Sequence, residues 1–171
     1  MTKRLLLLWL MLGTAFCLGA CSHPELGTAV LPSIQTSAPL PDSPLAMLYF
    51  SESASYFKRV QGYEFHAEEG AYTVSFYMAN EEECYPVAVD QSWVDTLTGF
   101  IRQYNMMNWS GFSGTAPGLL DGTHFSIDFA FADGTAVHAS GYGTFPSGYG
   151  DASEAIDAHF MQLLPQEMRD W

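Results

Sequence analysis

One short stretch holds the residue types that acid–base or nucleophilic chemistry needs. Between Leu119 and Pro146, in LLDGTHFSIDFAFADGTAVHASGYGTFP, stand Asp128, His138 and two serines, Ser126 and Ser140. A carboxylate beside an imidazole fixes its tautomer, and a hydroxyl within reach of the imidazole completes a nucleophilic triad. Strand register decides whether these side chains meet. Phe125, Ile127, Phe129 and Phe131 alternate with Ser126, Asp128 and Ala130, which predicts one strand; Val137 and Ala139 alternate with His138 and Ser140, which predicts its return. A two-residue loop at Asp133-Gly134 would set Phe129 opposite His138 and mix the faces. A three-residue loop, Ala132-Asp133-Gly134 with Gly134 left-handed in a G1 bulge, keeps them apart. That register pairs Asp128 with His138, Ser126 with Ser140 and His124 with Tyr142 as one polar stripe. Neither serine stands on a strained turn beside oxyanion donors, so cross-strand pairing on a solvated face explains the stripe more simply than catalysis. A hydrolase reading would use Asp128, His138 and Ser140.

Other chemistry is less well patterned. His66, His124 and His138 all fall on expected strands, but the chain has no HExxH and no paired cysteines, so no metal site is expected. Asp121-Gly122 and Asp133-Gly134 lack the alternating oxygen ligands of a calcium loop and read as turns. No motif calls for a cofactor. Trp109, Phe112, Tyr142, Phe145 and Tyr149 surround a glycine-rich loop, Gly141-Tyr142-Gly143 to Gly148-Tyr149-Gly150. Exposed together, they would form an aromatic patch suited to a sugar face or an envelope protein; buried, they close the core, which is the commoner fate of such rings.

The elements that must position these residues follow from periodicity. Met47 to Ser51 reads as a first strand. Tyr63, Phe65 and Ala67, then Tyr72, Val74 and Phe76 across Glu69-Gly70, read as a hairpin with an even-length loop. Asn80 to Glu83 is a turn, and Cys84 to Val89 a further strand that Pro86 confines to an edge. Cys84 is expected to be buried or half-buried there. A helix begins near Asp90 or Ser92, with Ser92 and Asp95 approximating a capping box; it presents Trp93, Leu97, Phe100 and Tyr104 and ends near Met107. The central hairpin follows. A last helix starts at Asp151, presents Ile156, Phe160, Leu163 and Leu164, and stops at Pro165. The order β-ββ-β-α-ββ-α predicts an α+β domain, a two-layer arrangement with both helices on one face of an antiparallel sheet.

The N-terminus carries a different message. Lys3 and Arg4 precede an apolar run, Leu5 to Phe16, that is too short to span a bilayer as a helix, and Leu18-Gly19-Ala20-Cys21 follows. This resembles a bacterial lipoprotein signal, which implies cleavage after residue 20 and acylation of Cys21, hence a membrane anchor. Ser22, rather than Asp, follows the cysteine, so the sorting pattern does not argue for inner-membrane retention. Residues 22–44 hold five of the nine prolines with no hydrophobic period and read as a tether, leaving 45–171 as one domain. Losing Lys3 and Arg4 leaves four basic residues against nineteen acidic ones, a formal charge of −15. That argues against nucleic acid and against electrostatic adhesion to anionic lipid, both of which need basic patches. Cys17 departs with the signal and Cys21 is the anchor, so Cys84 has no disulfide partner in the domain.

Trp109-Ser110-Gly111-Phe112, Leu120-Asp121-Gly122, Phe125-Ser126-Ile127-Asp128-Phe129, Asp133-Gly134, Ser140-Gly141-Tyr142-Gly143 and Phe145-Pro146 before a terminal helix form a pattern over the second half of the chain. It resembles a family of uncharacterised bacterial lipoproteins and secreted proteins, with Thr144 where that family has Asn. The resemblance implies a fold and an envelope location and transfers no catalytic residue. The expected function is a non-enzymatic binding or structural module of the envelope, the alternative a small hydrolase.

Overall fold

The computed structural model describes residues 38–53, 60–78 and 84–169. Seven strands, β1 (Leu45–Ser53), β2 (Val60–Glu68), β3 (Ala71–Met78), β4 (Tyr85–Val89), β5 (Ser113–Thr115), β6 (His124–Phe131) and β7 (Ala136–Tyr142), form one sheet. Their order is β4-β3-β2-β1-β6-β7-β5, antiparallel throughout except for β5 beside β7. The main helices are α1 (Gln91–Gln103) and α2 (Tyr149–Met161), with a 3-10 turn at Met106–Trp109 and a short α3 (Gln166–Arg169). The class is α+β, as the periodicity predicts.

Two turns set the registers. In β2–β3 the loop is Glu69-Gly70, both at positive φ, which matches the twist of the flanking strands and pairs Glu68 with Ala71. In β6–β7, Gly134 has φ +88° and its N–H bonds the Phe131 carbonyl at 2.9 Å, giving the three-residue loop expected from the sequence. Phe129 then faces Val137, Asp128 faces His138, Ser126 faces Ser140 and His124 faces Tyr142.

Alternation sorts the sheet into two faces. Leu48, Phe50, Tyr63, Phe65, Val74, Phe76, Phe125, Ile127, Phe129, Val137 and Ala139 are buried on the inner one. Both helices pack there. Trp93 of α1 lies against Phe65 at 6.1 Å between ring centroids, while Phe160 of α2 stacks on Tyr63 at 4.5 Å and Tyr149 packs on Phe125 at 4.4 Å. Two polar ties fix α2 to the sheet: the Tyr149 hydroxyl donates to Glu52 at 2.7 Å, and the buried Tyr63 hydroxyl donates to Asp157.

Several expectations are corrected. Asp90, not Ser92, caps α1, its carboxylate accepting the Trp93 N–H at 2.9 Å. The helix ends at Gln103 because Asn105 turns left-handed at φ 52°, which redirects Met106 and Trp109 into the core. Gly148 is the N-cap of α2, so that helix begins at Tyr149 rather than Asp151. Cys84 is exposed and lies just outside β4, whose Pro86 does sit on the sheet edge. The expected turn at Asn80 to Glu83 lies outside the described residues. The chain also contacts the domain before residue 45: Ala38 N–H donates to Asn108 Oδ1 at 3.0 Å, Leu40 packs on the core, and Pro44 O accepts from Ala132 N–H at 2.9 Å.

Candidate functional site

With both helices on the inner face, the opposite side chains of β1, β2, β3, β6 and β7 meet solvent, and register places them in rows. Tyr49 on β1 has Glu64 of β2 on one side and Asp128 of β6 on the other; Ser75 lies beyond Glu64 and His138 beyond Asp128. The next row runs Tyr77, Gly62, Ser51, Ser126, Ser140 and Ser113 across six strands.

At one end of the first row, His138 Nδ1 bonds Asp128 Oδ1, and the Ser126 hydroxyl donates to Asp128 Oδ2 at 3.4 Å. The sequence-predicted stripe is therefore brought together. Its side chains stand in the open, His138 63% and Asp128 37% exposed. The hydroxyl that joins this pair is that of Ser126, and it addresses the carboxylate, whereas a nucleophilic triad needs a hydroxyl on the imidazole. Ser140 shares the face, opposite Ser126.

On the other side of Tyr49 a second network repeats the theme. His66 Nε2 bonds Glu64 Oε1 at 2.7 Å, and the Tyr77 hydroxyl donates to Glu64 Oε2. Against the desolvation that partial burial imposes, the hydrogen bonds from Tyr77 and His66 hold the Glu64 carboxyl below its ordinary range. The same bond to Glu64, with burial second, pushes the Tyr77 hydroxyl up to about 12. Gly62, the cross-strand neighbour of Tyr77, has no side chain to intervene, and the Tyr77 ring meets Tyr49 edge-on at 6.2 Å. Beyond His66 the face dips into a shallow depression of about 610 Å³, lined by His66, Glu68, Glu69, Ala71, Thr73 and Ser75.

The five aromatics of the glycine-rich region do not share one surface. Trp109 and Tyr149 are buried, and the Trp109 indole donates to the Ser147 carbonyl at 3.1 Å. Phe112 is half-buried against Phe125, and Phe145, 40% exposed, stacks on Tyr149 at 4.7 Å. Tyr142 projects from β7 with His138 and Ser140, on the opposite side of the sheet from Phe125 and Tyr149. The three strand histidines are also dispersed, since β1 separates the strand of His66 from those of His124 and His138. Among the described residues no group of three or more His, Cys, Asp or Glu side chains is placed to hold a metal ion.

Tyr49 and Tyr77 were not legible as site residues from chemistry-bearing motifs. The available signal was parity: Tyr77 shares the outward phase of Thr73 and Ser75, and Tyr49 lies between inward-facing Leu48 and Phe50. Among the described residues no helix is long and apolar enough to cross a membrane. No protein-family model matches the chain, and no curated protein is significantly similar to it.

Proposed function

We propose that the chain is an exported bacterial protein anchored to the envelope through an acylated Cys21, and that its domain is a non-enzymatic binding module. The binding surface is the outward sheet face. The observation that carries this reading is the order imposed on that face: Glu64 and Asp128, flanking Tyr49, are each held by two neighbours, although their surroundings are open to water. Side chains fixed in advance lose less entropy when a ligand arrives, which is what a recognition surface requires. The anchor is supported by the run from Lys3 to Cys21.

The test has two arms. Expressed in a bacterium, the chain should partition into detergent and carry an adduct at least as heavy as a diacylglyceryl group, and Cys21→Ser should abolish both; a wild-type chain that stays aqueous and unmodified refutes the anchor. A photocrosslinking residue at Ser126 should give a specific, competable adduct in intact cells, while one at Glu154, exposed on α2, should not. Equal labelling at both positions refutes the face. The hydrolase reading draws on the Asp128–His138 contact. Turnover of ester or amide substrates that His138→Ala abolishes would establish it in place of the binding module.

A further inference from the structure

Resting on the reading of the outward face as a binding surface, we infer that Tyr49, set between Glu64 and Asp128, seats a glycan chain that carries free amino groups. Cross-strand neighbours stand about 4.5–5.5 Å apart at Cβ, so the Tyr49 ring has a carboxylate on either side. A tyrosine face attracts an ammonium through its quadrupole, and flanking carboxylates add direct ion pairing. Glu64 keeps its charge because Tyr77 and His66 bond it.

Charge and shape narrow the occupant. The outward positions of β1, β2, β3, β6 and β7 include no lysine or arginine. An anionic ligand therefore finds no countercharge there, and a cationic one meets no fixed cation, on a chain of formal charge −13. Beside the Tyr49 row, Ser51, Ser126, Ser140 and Ser113 follow one another across four adjacent strands. At ~4.8 Å per strand that line is about 14 Å long, the reach of a short oligosaccharide rather than of one ammonium ion. Hydroxyls spaced this way match the hydroxyl rim of a sugar chain, while Tyr49 and Tyr77 offer ring surface to its apolar C–H face. A protein interface would instead concentrate apolar and arginine anchors and exclude carboxylates from its centre.

The experiment titrates the full chain, in a detergent without a sugar headgroup, with three probes by calorimetry. Chitosan hexamer has sugar rings and amines, N-acetylchitohexaose has the rings with the amines blocked, and hexalysine has amines without rings. Chitosan hexamer should bind at least ten-fold tighter than either of the others. Tyr49→Ala should weaken it ten-fold or more and Tyr49→Phe should not, because the ring matters and the hydroxyl does not. Asp128→Asn, which keeps the shape and removes the charge, should weaken it several-fold, and Leu120→Ser, in a separate exposed loop, should leave it unchanged. Circular dichroism checks that each variant is folded. Equal affinity for hexalysine, or chitosan binding that neither Tyr49→Ala nor Asp128→Asn weakens, overturns the inference. So does no chitosan binding at all; in that case a specific Ser126 crosslink keeps the binding module and rejects only the glycan, and its absence rejects both.

Discussion

Buried between the two main helices, the His159 imidazole stacks on Trp93 at 4.3 Å and meets Phe100 edge-on at 5.4 Å. Its Nε2–H donates to the Trp93 carbonyl at 3.0 Å and its Nδ1 accepts from Gln162 at 2.9 Å, so the neutral ring is fully bonded. Burial lowers its pKa, with the Trp93 carbonyl pulling weakly the other way. The unfolded chain takes up this proton as pH falls through about 6.5, and the folded chain only at lower pH. The stabilisation is therefore whole above that value and declines as pH drops below it toward the folded pKa. Melting temperature should fall between pH 7.5 and 5.5, and His159→Gln should flatten that part of the profile; an unchanged slope would contradict the assignment. On the outward face, Tyr77→Phe removes a donor that favours ionised Glu64. The Glu64 carboxyl should then titrate at higher pH, read by NMR of the side-chain carboxyl.

At the scale of elements, β7 passes close beneath its surroundings at Gly141. A Cβ there would lie 2.3 Å from the Thr144 carbonyl oxygen and 2.7 Å from Phe125 Cε1, and the backbone contact cannot rotate away. Gly141→Ala should cost roughly 1–3 kcal/mol in urea unfolding, as overpacked sites do. The hairpins were legible in the sequence because one buried face forces strict alternation, which fixes register to the residue and so placed Asp128 opposite His138. Strand β5 was not: Ser113-Gly114-Thr115 has no apolar phase, and it pairs because the Gly111 N–H bonds the His138 carbonyl and the Phe112 carbonyl accepts from Ser140 N–H, contacts nearly thirty residues away in sequence. The two-residue error at the start of α2 has a similar origin. A glycine N-cap leaves no side-chain signature, so Asp151 looked like the cap. The five aromatics part because strand parity sets Tyr142 on the outward face while the left-handed Asn105 turns Trp109 into the core, a backbone event that residue types do not announce.

For the whole molecule, Phe160 joins the layers: it contacts Tyr63, Phe76 and Trp93, and is wholly buried. Phe160→Ala should cost about 3–5 kcal/mol, measured by denaturant unfolding, with both helices lost in one transition. Alkali attacks the same junction. Burial first, then the neighbouring Asp157 and Glu52, raise the Tyr63 pKa, and burial with Glu52 raises that of Tyr149. Above about pH 10 the unfolded chain loses protons that the folded chain keeps, so stability falls there, and Tyr63→Phe should reduce the fall. The position of β1 has a consequence for how the molecule is made. Of the described strands it is the first to leave the ribosome, yet it lies in the middle of the sheet, with Leu48 paired to Phe65 on one side and to Phe129 on the other. Until Phe129 emerges, β1 keeps one row of amides and carbonyls open and its apolar side chains half covered. A nascent or truncated chain ending before His124 is thus a three-sided box with its most adhesive wall missing, and its survival depends on a holding chaperone or on speed.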